Sequence, residues 1–160
     1  MPATLTEDPA AFIADAGRDG RLYGLDLGTK TLGIARSDPA RMFASPLITL
    51  ARGKFTQLSA DLRAHGEADA VVGFVLGLPR NMDGSSGTRV QATRAFARNL
   101  ADALPQPILL WDERLSTVEA ERLMIAADTR RDARARKIDQ VAAAIILQGA
   151  LDRMRGIDLA

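Results

Sequence analysis

Residues 22–38 read LYGLDLGTKTLGIARSD. In the first part Tyr23, Leu25 and Leu27 fall on one face, and Leu22, Gly24 and Asp26 on the other. That is the period-two pattern of a strand. Gly28-Thr29-Lys30 reads as a turn, and residues 31–37 as a second strand folded back on the first. Asp26 breaks the pattern. Strands are depleted in Asp, and an unpaired buried carboxylate is costly. From this site alone two readings stand open: a side chain that caps the Gly28 turn, or a ligand whose charge a cation answers.

Outward from this hairpin the chain alternates strands and helices. Residues 46–51 suit a third strand, and Phe55, Leu58 and Leu62 give helical spacing over 54–65. DAVVGFVLG, 69–77, is nearly all apolar, as in a strand covered on both faces. LPRNMDGSSG follows as a loop. Thr88 with Gln91 matches a capping box, opening a helix to about Leu104 with Phe96, Leu100 and Leu104 as its apolar stripe. ILLWDE, 108–113, is another buried strand. Ser116 with Glu119 is a second capping box, opening a helix to about Ala127. Residues 129–137, TRRDARARK, are polar and basic, and a last helix is expected over 137–154. The class is α/β: a mixed five-stranded sheet, three antiparallel strands then two parallel, with helices on both faces. This domain spans 21–155. Residues 1–20 form an N-terminal extension, in which Asp8-Pro9 predicts a short helix.

Composition narrows the chemistry. The chain has 160 residues, 47% hydrophobic and 26% charged, as expected of one globular domain. Lys plus Arg number 21 and Asp plus Glu 20, so any basic site must be local. There is no cysteine and one histidine, His65. Thiol catalysis, Cys-ligated zinc and multi-His sites are excluded, which leaves oxygen ligands suited to magnesium or manganese. No apolar run spans a membrane and no secretory signal is present, so the cytoplasm is the expected location and no membrane partner is expected.

Two further carboxylate positions defy packing. Asp112-Glu113 ends the strand ILLW, at the end where ligands bind in open α/β sheets. Adjacent strand residues point opposite ways, so one of the pair can enter a given site. Asp139 shares a helical face with Ala142, Ala143, Ile146 and Ala150, an apolar face that should pack on the sheet. The alternative is that Asp139 caps a helix starting there. Three acids on two strands and a helix, converging on one sheet edge, would raise each other's pKa unless a divalent cation supplies positive charge. Carboxylate-bound metals roughly 3.5–4 Å apart can activate water and stabilise the leaving oxygen of a phosphodiester.

GLDLGTKTLGIARSD, GLPRNMDGSSG, WDERLST and KIDQVAAAIILQ together resemble the YqgF family, over about residues 20–154 and in order. These are bacterial RuvC-like proteins, described both as Holliday junction resolvases and as pre-16S rRNA nucleases. The resemblance implies the ribonuclease H-like fold. It implies catalytic and metal-binding roles for Asp26, Glu113 and Asp139, with two Mg2+ or Mn2+ ions: Asp26 bridges or anchors the metals, Glu113 completes the site, and Asp139 binds a metal or orients the water. Asp112, a further candidate ligand, and Asp38 also match family positions. The family commonly has a basic residue where this chain has Thr31.

The expected nucleic-acid contacts are Lys30 and Arg114 beside the acids, Arg80 and Asn81 on the loop after a strand end, and Arg130, Arg131, Arg134, Arg136 and Lys137 leading to Asp139. The helix after Gly87 offers backbone N–H groups to an anion. Aromatic residues make up 4% of the chain, so recognition by shape and backbone is expected rather than base stacking. The activity implied is a metal-dependent endonuclease of structured nucleic acid. The partner is pre-rRNA, free or on ribosomal particles, with processing of the 5′ end of pre-16S rRNA favoured on family grounds, or branched DNA. Junction resolution would require a two-fold dimer. Two other classes compete. An actin-like or sugar-kinase ATPase also uses an Asp-x-Gly-Thr turn but needs two such domains. A non-catalytic binding protein would keep the fold without turnover.

Overall fold

In β2 the face carrying Tyr23, Leu25 and Leu27 packs with Leu58, Leu62, Phe96 and Leu100. The opposite face, carrying Leu22, packs with Ala143, Leu147 and Leu151. The alternation read from the sequence therefore sorts two cores, one on each face of a single sheet. This computed structural model describes residues 3–79, 87–115 and 131–157, the last segment as backbone alone over 131–137. The elements are β1 (Leu5–Thr6), α1 (Pro9–Ala16), β2 (Leu22–Leu27), β3 (Thr31–Ser37), β4 (Ala44–Ala51), α2 (Phe55–Ala68), β5 (Gly73–Leu78), α3 (Thr88–Ala103), β6 (Ile108–Asp112), a 3-10 turn (Glu113–Leu115) and α4 (Arg131–Arg155).

The sheet has six strands in the order β1-β6-β5-β2-β3-β4. The hairpin β2–β3 and the pair β3–β4 are antiparallel. Strands β2, β5 and β6 run parallel, so their carboxyl ends share one edge of the sheet. Helices α2 and α3 cover one face, and α1 and α4 the other. Fully buried Leu25, Leu76, Leu100 and Ile108 each stabilise by about 1.5–3 kcal/mol relative to exposure.

Three expectations are corrected. The sheet has six strands rather than five, because Leu5–Thr6 pairs in parallel with Ile108–Leu109. Two residues are too short to show a period, and their pairing is set by β6's open edge. Thr88 does not cap α3: Gly87 is the N-cap and no side chain bonds there. Helix α4 starts at Arg131 rather than 137, because Arg, Ala and Lys favour helix even without an apolar stripe. Asp139 is therefore two turns inside α4 and not its cap. The short N-terminal helix does form, with Asp8 accepting from the Ala10 N–H at 3.1 Å. Among the described residues no helix is long and apolar enough to cross a membrane.

Helix α4 crosses the sheet over glycines. A methyl group built on Gly24 would lie 2.6 Å from Leu147 Cβ and 2.7 Å from the Ala143 carbonyl oxygen. One on Gly33 would overlap the Asp139 backbone carbonyl, and one on Gly77 would lie 2.5 Å from Ile146 Cδ1. Gly33→Ala pushes against backbone and cannot be relieved by a rotamer change. It should destabilise the fold by about 1–3 kcal/mol or more. Gly66→Ala in α2, whose methyl meets nothing closer than 3.8 Å, should stabilise it by up to about 1 kcal/mol. Urea unfolding of both variants checks the two signs, and a stable Gly33→Ala protein would contradict the close packing.

Candidate active site

Asp26 is the next-to-last residue of β2, pairs with Gly33 across the hairpin, and lies on the α4 face. Gly33 is the position against which the Asp139 backbone rests, so the glycine contact sets Asp139 beside Asp26. Thr31 Oγ1 donates to Asp139 Oδ2 at 2.7 Å and fixes that carboxylate. Thr31 is the residue at which the chain departs from the resembling family's basic side chain. On the other side of Asp26, Glu113 begins the 3-10 turn just after β6. Its Oε1 would lie 2.9 Å from a methyl on Gly77, one residue beyond the Leu76 that pairs with Leu25. Two strand ends and a helix thus deliver three carboxylates to the carboxyl edge of the sheet.

Their charges are felt mutually. Burial, then Glu113, then Asp139 push the Asp26 carboxyl up from its ordinary 3.8 to about 6, against a smaller opposing pull from Arg89. Burial also raises Glu113, Arg89 opposes it, and Asp112 adds to the rise. Among the described residues the acids do not close into a set of three or more ligands already spaced around a metal ion. In donor chemistry the site fits a hard divalent cation: every donor is a carboxylate oxygen, and the pull of Arg89 on Asp26 is outweighed by burial and by the other two acids.

The other expected residues are distributed unevenly. Of the adjacent pair, Glu113 enters the site. Asp112 turns to Arg114, whose Nη2 donates to it at 2.7 Å and whose backbone N–H donates at 2.9 Å. Lys30 is exposed in the β2–β3 turn. Asp38 lies at the opposite end of β3, where it accepts from the Met42 and Phe43 N–H groups, both at 2.9 Å. Those bonds, that from Phe43 foremost, lower its pKa. Asp38 therefore orders the β3–β4 loop and stays outside the acid cluster. Arg131, Arg134, Arg136 and Lys137 occupy the first turns of α4, upstream of Asp139. Arg80, Asn81, Arg130 and the Ser116–Glu119 box lie outside the described residues. The sequence reading passed over Arg89, which lies in the first turn of α3 and acts electrostatically on both Asp26 and Glu113. The available signal was its place just after the loop that follows β5.

Without a cation the raised Asp26 has a thermodynamic consequence. Its folded pKa exceeds its unfolded one, so the fold favours the protonated form. The stability it contributes is complete below about pH 4 and is lost as pH rises through about 6. The loss is on the order of 3 kcal/mol at most. In EDTA, Asp26→Asn should therefore melt several degrees above wild type at pH 7.5 and nearly with it at pH 4. Circular-dichroism melts at both pH values check this, and an equal difference at the two would refute the buried charge.

A family model described as "RuvX: Holliday junction resolvase" matches residues 20–153. The chain is 61% identical over 143 residues to a Cereibacter sphaeroides protein named "Putative pre-16S rRNA nuclease", covering 89% of each chain. It is 56% identical over 151 residues to a Paracoccus denitrificans protein of the same name, covering 94% of this chain and 96% of that one. Among solved structures, Thermus thermophilus RuvC superimposes with a TM-score of 0.55 at 12% identity, over 84% of this chain and 96% of that one. That likeness shows the fold, the ribonuclease H-like arrangement expected from the motifs.

Proposed function

We propose, from the premise that this chain belongs to the RuvX family, also known as YqgF, that it is a divalent-metal-dependent endonuclease maturing the 5′ end of pre-16S rRNA. The observation that carries this is the convergence of Asp26, Glu113 and Asp139 at the carboxyl edge of the sheet, with Asp26 pushed up to about 6 by burial and by the other two. Such a cluster is costly to an isolated fold and useful to one that binds cations. The names carried by the relatives at 56–61% identity support RNA as the substrate.

Asp26, Glu113 and Asp139 would hold the metal, one ion or two, with Asp112 a further candidate beside Glu113. Bound there, Mg2+ or Mn2+ supplies a Lewis acid for the phosphodiester and lowers the pKa of water to make the nucleophile. Asp26, at the centre, holds its position by strand pairing. Thr31 fixes one oxygen of Asp139. Glu113, set beside Gly77 at the end of β6, would complete the carboxylate set. Lys30 and the basic first turns of α4 would approach the backbone of the RNA.

A second reading, cleavage of a four-way DNA junction, is favoured by the description of the matching family model. Purified protein with Mg2+ or Mn2+, offered a pre-16S rRNA fragment and a four-way junction, separates the two. RNA cleavage at the 5′ boundary is expected, reduced roughly a hundredfold or more in Asp26→Asn. Cleavage that persists in Asp26→Asn would sink the metal site, and cleavage of the junction alone would replace RNA by DNA. Neither substrate cut would favour a binding protein. Mn2+ should also raise the melting temperature of wild type and leave Asp26→Asn unmoved.

A further inference from the structure

On the face of the sheet opposite Asp139, one residue along the chain from Asp26, lies a cavity of about 160 Å3. The Leu27–Thr29 turn forms one wall, Ala92 and Thr93 of α3 another, and two arginines, Arg52 and Arg89, complete it. Their placement is built into the fold. The Arg52 backbone N–H donates to the Lys30 carbonyl at 2.9 Å, and its Nη1 donates to the Gly28 carbonyl at 2.9 Å. The guanidinium is thereby laid along the turn that follows Asp26. Thr93 is buried and its Oγ1 donates to the Arg89 carbonyl at 2.8 Å, tightening the helix turn that carries Arg89. Among the described residues the Arg89 guanidinium makes no hydrogen bond and no ion pair.

Two guanidinium groups lining one small cavity repel each other unless an anion lies between them, and a planar fork of N–H donors matches phosphate oxygens. Leu27 and Asp26 are consecutive strand residues and face opposite ways. A strand laid over this edge of the sheet would meet the acids on one side and the cavity on the other. Arg89 belongs to both surroundings, since it lines the cavity and also acts on Asp26 and Glu113.

We propose that Arg52 and Arg89 form a seat for a backbone phosphate of the nucleic-acid substrate, next along the strand from the phosphodiester held at the acids. The seat rests on the nuclease reading for its ligand and deepens it by separating a positioning contact from the cutting site. Neither arginine touches the reacting atoms. Both hold the strand in register.

The test uses the full chain and a pre-rRNA fragment in EDTA, where nothing is cut, titrated over a series of KCl concentrations. Arg89→Gln and Arg52→Gln should each weaken binding about fivefold, and each should reduce the slope of log K against log [KCl] by about 0.7–0.9. Arg98→Gln, an equal loss of charge in the C-terminal half of α3, should alter neither. Because Arg52 also holds the turn, Arg89→Gln decides if Arg52→Gln misfolds, and Arg52→Lys should keep the slope. A wild-type slope in Arg89→Gln, or an equal loss in Arg98→Gln, overturns the seat, as does a wild-type chain that binds no RNA. Cleavage with Mg2+ is scored separately. A reduced slope without cleavage keeps the seat and removes the nuclease, while cleavage with an unchanged slope removes the seat and keeps the nuclease.

Discussion

Helix α4 reaches the sheet only because Gly24, Gly33 and Gly77 present no side chain beneath it, on three adjacent strands. A helix layer normally stands off a sheet by the thickness of two sets of side chains. Here the Asp139 backbone sits on Gly33, the strand partner of Asp26. The distance from helix to strand is thus fixed by backbone contact, which a rotamer change cannot relax. Everything else at the site follows from that contact. Asp139 is carried close enough to raise Asp26, Ile146 closes the space over Gly77, and Glu113 fits beside it. The apolar face of α4, with Ala143, Leu147 and Ala150 fully buried, holds three negative charges against their mutual repulsion.

The fold was legible wherever one period ran for several residues. Alternation over 22–27 placed Asp26 on the α4 face, and counting along the last helix placed Asp139 on the face that meets the sheet. Both placements came from residues that violate their own pattern, because a carboxylate on a buried face must be explained by something outside its element. Where the signal was short or polar the reading failed. Leu5–Thr6 has no period to show. The basic residues before Asp139 belong to the last helix and not to a stretch ahead of it, since a helix without an apolar stripe leaves no mark in hydrophobicity. The Thr88 box has the right letters, but Gly87 takes the capping position before it.

The candidate site was half legible for a related reason. Acids inside apolar runs are conspicuous, while arginines at the ends of elements look like ordinary solvated surface. Arg89 and Arg52 become notable only when the fold sets a helix start and a strand end against the same turn. The role of Thr31 was hidden in the same way. In the sequence it is a departure from the resembling family's basic residue. In the structure it holds an oxygen of Asp139 at 2.7 Å, a service a cationic side chain would render by charge and a hydroxyl renders by direction. Its neutrality adds nothing to the pull of Arg89 on the acids.

The excess negative charge of the acids bears on how a phosphodiester could approach at all. A nucleic-acid backbone is an anion, and three carboxylates at the sheet edge repel it. A cation bound there would reverse the sign locally, but only for a phosphate directly over the acids. The neighbouring phosphate still needs an attractive surface. The arginine-lined cavity on the other face of the sheet would supply one, since consecutive residues of one strand must point to opposite sides. Asp26 and Leu27 thereby divide the carboxyl end of β2 into an acidic half and an arginine-lined half. A net charge of +1 for the whole chain conceals this separation. Repulsion at one side and attraction at the other would orient a strand across the edge before any bond is broken, and the rigid turn between the two halves would set its register.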